Sequence, residues 1–434
     1  MTLGPGYTPR QLQIDAARLN NTLHETCKWG CAHRWGDRPT ETGMCRLALS
    51  DDDRKVRDWF VGETTRLGCS VTVDTMGNLF AIRAGKQGGA PTAMGSHLDT
   101  QPTGGRYDGI LGVMSAVEAL RTIHCAGYET EYPIAVVNWT NEEGARFSKS
   151  LHGSDVWSGG YTLKDAHALE DVARPGVTAA SELERIGYDG GTPCSHWNNP
   201  LAAHFEVHIE QGPVLEAHRE RIGVVQGGQA YKWFKIRIQG RDSHAGTTPF
   251  DYRADPMQAA ARFLLMTHDV ARSHNGLATT GIFRLEPGSV NTIPNHVEFT
   301  LDIRHVDDAV LSAMEAEMRA RGEGLLQTDS RHQCTMTWEF LQDNSATHFN
   351  ADCKAAVKEA ALASVSPAEV REMVSGAGHD SCATSRTVPT AMIFVPCAGG
   401  VSHNPSEYAT PEDCALGAQV LLDAALLYDS RRTR

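Results

Sequence analysis

No stretch of the 434-residue chain approaches the roughly 20 apolar residues that a membrane-spanning helix needs, which argues against a helical membrane protein. The opening residues, MTLGPGYTPRQLQ, lack a basic start and an apolar stretch, so no secretory leader is expected. A basic excess is missing too. Lys and Arg number 40 against 53 Asp and Glu, for a net charge of -13, and binding to a phosphate backbone needs the opposite balance. The 11 cysteines are odd in number and follow no framework spacing, so reduced thiols and a cytoplasmic setting are expected. One cluster, His24, Cys27, Cys31 and His33, offers zinc-type ligands. It crowds all four into one short segment, whereas structural zinc sites draw ligand pairs from both sides of a folded loop. Internal repeats and low-complexity segments are absent.

What remains is a globular composition, 41% hydrophobic and 21% charged, on a chain too long for one ordinary core. The first half alternates helical and strand patterns. An amphipathic helix is predicted over 52–67, strands near 70–83 and 92–97, a helix over 110–126, a buried strand over 134–139 and a strand ending at 205–209. Such alternation predicts an α/β sheet with buried strands. Near 229 the style changes. A half-exposed strand (231–239), a helix (254–272), strands (278–285 and 295–304), a helix (307–321) and a strand (333–341) give the order β-α-β-β-α-β, a ferredoxin-like module. The α/β style resumes after about 346, with a helix near 350–363, a strand at 389–395 and a helix at 411–428. The expected architecture is an α/β domain (1–228 and 347–434) interrupted by a smaller inserted domain (229–346).

Four stretches carry candidate chemistry, each just past or at the end of a predicted strand. In GSHLDTQPTGGRYDG (95–109), His97 and Asp99 are two apart, so in an extended segment they point the same way and Asp99 can hold the imidazole. Asp108 follows a Gly-rich loop and precedes a helix, where it can bridge two cations or simply cap the helix. In NWTNEEGARF (138–147), two adjacent carboxylates at a buried strand end are costly without a positive partner. One of the pair can bind a metal while the other faces substrate as a base. In HFEVHIEQGPVLE (204–216), His208 shares strand parity with His204 and Glu206, so parity alone does not select the ligand. In VSHNPSEY (401–408), His403 again follows a strand. Strand ends meet along one edge of a parallel sheet. There, His97, Asp108 used twice, His208, Glu143 and His403 would supply the six contacts that two ions need. Histidine and carboxylate ligands without thiolate suit zinc, with manganese, cobalt or nickel as substitutes.

With these residues in view, the chain resembles the dizinc aminoacylase/carboxypeptidase superfamily. The match is to its hydantoinase/carbamoylase branch, which contains fungal β-alanine synthase, bacterial N-carbamoyl-L-amino acid hydrolase and allantoate amidohydrolase. GSHLDTQPTGGRYDG, NEEGARF, HIEQGPVLE, DSHAGTTP, GAGHDS and SHNPSEY fit in order over essentially the whole chain. The likeness is strongest to the fungal-type β-alanine synthases, through TQPTGGRYDG, LHGSDVWSGG and the run from IGYDGG to HIEQGPVLE.

The resemblance implies an α/β zinc-hydrolase catalytic domain with an inserted lid and dimerisation domain. It implies His97, Asp108 and His208 on one zinc, Asp108, Glu143 and His403 on the other, and Glu142 as general base. His208 stands where the peptidase branches usually carry an acidic ligand. His244, Asn291 and Arg304 match lid positions that meet substrate, and His244 would serve the developing oxyanion. Gln211, Gly378 and His379 match substrate contacts on the catalytic side. For Arg304 an ion pair with Asp302 or Asp307 is the alternative. The expected activity is hydrolysis of the ureido group of a small N-carbamoyl amino acid by a homodimer with two zinc ions per chain. An allantoate amidohydrolase, a peptidase or aminoacylase, and a non-catalytic binder on the same scaffold are the rivals.

Overall fold

The computed structural model describes residues 6–326 and 330–432. The chain divides into two compact units, Met1–Gly227 with His348–Arg434, and Gly228–Thr347.

The larger unit is built on a mixed sheet. Its central strands run in the order Thr390–Val395, Ala203–Ile209, Thr92–His97, Ile134–Trp139. All three of these pairings are parallel. Antiparallel strands flank them: Ile222–Gly228 beside Thr390–Val395, and Leu79–Arg83 then Ser70–Val73 beyond Ile134–Trp139. Every residue of the four central strands is buried, as in a sheet covered on both faces, including the polar residues His97, Asn138, His204, Glu206 and His208. Alternation sorts them between two cores. Ile134 and Val136 join the larger cluster, which contains the apolar residues of helices Ile110–Cys125 and Pro411–Arg431. Ala135, Val137 and Trp139 join Val156 and Trp157 on the opposite face.

Helix Asp51–Arg66 starts on Ser50, whose side chain accepts from the Asp53 N–H, with three acids in the first turn, an arrangement the helix dipole favours. Helix Pro411–Arg431 starts on Thr410 with Pro411 in its first turn. Several short elements escape the sequence pattern, among them helices Ala16–Thr26, His152–Ser158 and Asp380–Thr384 and strands Ile222–Gly228 and Val370–Ser375.

The smaller unit is an antiparallel sheet with its own core. Strand order is Leu277–Thr279, His296–His305, Ala230–Gln239, Thr335–Asn344, with Phe283–Glu286 continuing the Leu277–Thr279 edge along His296–His305. Helices Pro256–Ser273 and Asp308–Leu326 pack on its apolar side through Phe263, Val270, Leu311, Met314 and Met318. This is the split β-α-β-β-α-β arrangement. It differs from the sequence expectation in that the second strand is two short pieces rather than one run over 278–285.

Candidate active site

The site lies at the carboxyl ends of the parallel strands. His97 is the last residue of Thr92–His97, and His208 is the penultimate residue of Ala203–Ile209. Glu142 and Glu143 lie in the turn after Ile134–Trp139, and His403 lies in the loop after Thr390–Val395. Asp108 precedes Gly109, the N-cap of helix Ile110–Cys125, and its carboxylate meets His208, Gln211 and Ser402. Gly109 takes φ 66°, and a Cβ there would fall 2.3 Å from the His97 ring; glycine is what allows the Asp108 turn and the imidazole to approach.

Two groups of three ligand atoms result, each mutually within 4.8 Å: His97, Asp108 and His208, and Asp108, Glu143 and His403. Asp108 Oδ1 lies 3.5 Å from His97 Nε2 and 3.0 Å from His208 Nε2, and its Oδ2 lies 3.4 Å from His403 Nε2. Glu143 Oε2 is 3.4 Å from His403 Nε2. Glu142 Oε2 approaches His97 Nε2 at 3.5 Å. Among the described residues His97 Nε2 is buried and makes no hydrogen bond, although it lies 3.5 Å from the shared carboxylate. The outward nitrogens of both buried histidines are fixed by main chain: His97 Nδ1 lies 2.9 Å from Asp99 O and His208 Nδ1 lies 2.8 Å from Ile209 O. This is the usual way a metal-ligating imidazole is oriented. The donor chemistry and spacing fit two divalent cations sharing one carboxylate.

The electrostatics point the same way. Burial alone would lower the His97 imidazole, yet Glu142 and Asp108 hold it well above its ordinary value. Burial would raise Asp108, yet His208, His403 and His97 hold it well below the usual carboxylate range. Glu142 is pushed well above its ordinary value, first by burial and then by the neighbouring Asp380 and Glu143. Glu143 is pushed up to about 7 by burial and by Asp108. The carboxylates draw protons onto the imidazoles, a demand for positive charge that bound divalent ions would meet directly.

Three residues that shape the loops around the site adopt left-handed backbone: Asn141 (φ 54°), Gln211 (φ 57°) and His403 (φ 52°). Strain of this kind in non-glycine residues gathers where geometry serves a site. Asn141 closes its loop by donating to the carbonyls of Phe147 and Lys149.

The expectation for Asp99 needs correction. Its carbonyl, not its carboxylate, meets His97 Nδ1; the nearer carboxylate oxygen stands 4.0 Å away. The carboxylate instead accepts from the backbone N–H groups of Glu142 and Glu143 at 3.2 and 3.3 Å. Parity gives no guide here because the paired strand ends at His97, two residues before Asp99. Strand depth resolves the other ambiguity. His204 is deeper, accepting from Trp139 Nε1 at 3.2 Å, and Glu206 accepts from Ser96 Oγ at 2.6 Å, which leaves His208 to face Asp108.

Gln211 Nε2 donates to Asp108 Oδ2 at 2.8 Å. His379 is buried against the His208 ring, with centroids 4.6 Å apart, and its Nε2 lies 3.0 Å from Ser375 Oγ. Gly378 lies beside Leu151. In the smaller unit, the short pairing of Ser243–His244 with Thr292–Ile293 brings His244 opposite Thr292, and Ala245 N–H donates to Asn291 O at 2.9 Å. His244 is exposed, its Nδ1 accepting from the Gly246 N–H. Arg304 lies near the end of His296–His305 and grips Asp302 through Nε and Nη2, with the guanidinium 5.5 Å from the Tyr231 ring centre. Gln101, Ser402 and Glu407 also belong to the site's immediate surroundings and were not singled out by sequence. Gln101 donates from its amide and its backbone N–H to the two Glu143 oxygens, at 2.7 and 3.1 Å.

A family model described as Peptidase family M20/M25/M40 matches residues 93–427. An N-carbamoyl-L-amino-acid amidohydrolase of Rhizobium meliloti is 38% identical over 97% of this chain and 98% of that protein. An allantoate amidohydrolase of Bacillus subtilis is 33% identical over 94% of this chain and 97% of its own length. Among solved structures, an amidase of the hydantoinase/carbamoylase family from Burkholderia multivorans superposes with a TM-score of 0.90, at 44% identity over 97% of this chain and 100% of that one. The fold, the paired histidine–carboxylate triads and these likenesses agree: the chain belongs to peptidase family M20/M25/M40, in its hydantoinase/carbamoylase branch, and is a hydrolase.

Proposed function

We propose that the chain is a two-metal amidohydrolase that hydrolyses the ureido group of an N-carbamoyl amino acid, releasing the amino acid, carbon dioxide and ammonia. The observation that carries this reading is the pair of triads sharing Asp108, with the buried Glu142 carboxylate beside them. The names of the N-carbamoyl-L-amino-acid amidohydrolases among its relatives support the substrate class.

His97, Asp108 and His208 would hold one ion, zinc by preference, and Asp108, Glu143 and His403 the other. When bound, the ions supply Lewis acidity toward the ureido carbonyl and lower the pKa of water from about 16 toward ~7. Glu142 takes the proton of the attacking water on its carboxylate and later delivers it to the leaving nitrogen. A carboxyl held above its ordinary pKa suits a group that must carry that proton between two steps. Gln211, Gly378 and His379 line the catalytic side of the substrate site. The inserted unit acts as lid and dimer contact, with His244 donating to the developing oxyanion, Asn291 adding a polar contact and Arg304 receiving the substrate carboxylate.

Elemental analysis of protein freed of loosely bound metal is expected to give two divalent ions per chain. A fully active enzyme with one ion or none rejects the reading. Steady-state kinetics then test the substrate under identical metal loading, with N-carbamoyl-β-alanine, several N-carbamoyl-L-amino acids and allantoate. The highest kcat/KM is expected on an N-carbamoyl amino acid. The Bacillus subtilis relative makes allantoate the competing reading, and a higher kcat/KM on allantoate would establish it. β- and α-amino acid products differ by one methylene, worth only about 1–3 kcal/mol in a pocket, so the panel must include both.

A further inference from the structure

Behind the two triads lies a carboxylate that belongs to neither. Glu407 is 3% exposed. One of its oxygens, Oε1, accepts two successive backbone N–H groups, those of Tyr107 and Asp108, both at 3.0 Å. The other, Oε2, accepts from Ser402 Oγ at 2.9 Å. Ser402 directly precedes His403, and its hydroxyl also lies 3.2 Å from Asp108 Oδ2. Gln211 Nε2 donates to the same hydroxyl at 3.1 Å. A single side chain therefore grips the main chain of the Asp108 loop with one oxygen and the His403 loop with the other. Tyr107 and Glu407, one on each loop, are 300 positions apart in the chain.

The packing is specific to that carboxylate. A Cβ on Gly105 would fall 2.2 Å from Glu407 Oε1 and 2.3 Å from its Cβ, so the Gly-rich loop needs glycine there for the carboxylate to seat. On the other side of this junction, a Cβ on Gly43 would fall 2.6 Å from both Gly104 O and Pro405 Cα. The loop over 104–108 and the loop over 402–407 are thus locked together at close range.

We propose that Glu407 is a positioning residue that sets the separation between the shared carboxylate Asp108 and His403, and so fixes the binding strength of the ion held by Asp108, Glu143 and His403. The inference rests on the reading of those three residues as ligands. Outer-shell partners of this kind typically cost about 10- to 100-fold in metal affinity when removed. The loss should be larger for the His403-side ion than for the other, because only that ion has ligands on both loops that Glu407 joins.

The test measures the stepwise zinc dissociation constants of the full chain by competition with a chromophoric chelator, together with the visible spectrum of the cobalt-loaded protein. Glu407→Leu is expected to weaken one of the two ions about 10- to 100-fold while the other changes less, and to alter the cobalt bands. Glu407→Gln should largely restore both, since its amide oxygen can accept the two N–H groups while its NH2 meets the Ser402 hydroxyl. Gly105→Ala, which displaces the carboxylate from the opposite side, should behave like Glu407→Leu. Ser402→Ala removes the Oε2 arm together with the hydroxyl's contacts to Asp108 and Gln211 but leaves the two backbone bonds to Oε1, and should give a smaller loss than Glu407→Leu with near-normal melting. A wild type that takes up two ions, with Glu407→Leu and Gly105→Ala binding both as tightly as it does, overturns the inference alone. Equal losses in Glu407→Gln and Glu407→Leu overturn it as well, because they show that charge or packing matters rather than the bond pattern. A wild type that takes up no divalent ion overturns both the inference and the reading beneath it.

Discussion

Glu142→Gln should leave uptake of both ions intact and lower kcat by about 10²–10⁴-fold, the usual cost of removing a general base. Glu143→Gln should do the opposite, losing metal at the His403 side first. The structure separates these neighbours although they are adjacent in the chain. Both backbone N–H groups are held by the Asp99 carboxylate, which fixes the main chain and sends the two side chains apart. Glu142 reaches His97 Nε2, and Glu143 reaches His403 Nε2 while Gln101 holds both of its oxygens. A Gln at 142 keeps the shape and the contact near His97 but cannot take a proton. A Gln at 143 puts an amide where a ligand oxygen and its charge are needed. The check is metal content beside single-turnover rates for each variant; metal loss in Glu142→Gln with metal retention in Glu143→Gln means that base and ligand have been exchanged.

Arg304→Ala should lower kcat/KM on N-carbamoyl-β-alanine by about 2–5 kcal/mol, the range for leaving one partner of a buried charge pair alone. An N-carbamoyl amino acid carries a carboxylate that a plain amide lacks, and desolvating it is costly unless a fixed cation receives it. The guanidinium is well prepared for that role. Its strand is paired on both sides, to Leu277 and to Tyr231, and the Tyr231 ring lies against it. It also grips Asp302, the ion pair that the sequence left as the alternative. The two roles give different kinetics. A carboxylate receptor makes wild type discriminate strongly against a methyl ester or amide of the substrate, and Arg304→Ala should lose that discrimination while metal content and Tm stay near wild type. Arg304→Lys should recover only part of the loss, because a point charge cannot form two parallel bonds. Equal losses on charged and neutral substrates would assign Arg304 to holding Asp302.

Much of this was legible in the sequence for definite reasons. Ile134–Trp139 and Thr390–Val395 are short apolar runs that only a doubly covered strand explains, and both are fully buried. His296–His305 alternates between half-buried and buried positions as far as Arg304, which is why the inserted module could be read from periodicity. Short elements were lost because they carry too few residues to show a period: Asp380–Thr384 and Val214–His218 have five each. Ile222–Gly228 ends in two glycines beside the change of style near 229, which blurs its pattern. Within the site, residue type and strand position found the histidines and acids that converge. They did not find Glu407 or Gln101, whose bonds run to backbone and to residues as much as 300 positions away, a relation that leaves no local pattern. The Asp99 carboxylate was misplaced by a rule that holds only inside a strand.

The position of Thr390–Val395 in the sheet has a consequence for how each molecule comes into being. It lies between Ala203–Ile209 and Ile222–Gly228, so the last central strand to be synthesised occupies a slot between two that precede it. At about 5–20 residues per second, the interval between the appearance of His208 and that of His403 on a ribosome is on the order of 10–40 s. During that time the earlier strands cannot close their sheet. The inserted unit, contiguous in sequence and with a core of its own, can fold in the meantime. The five candidate ligands first coexist only once His403 has been added, so any loading factor or free ion meets a complete site only after that point.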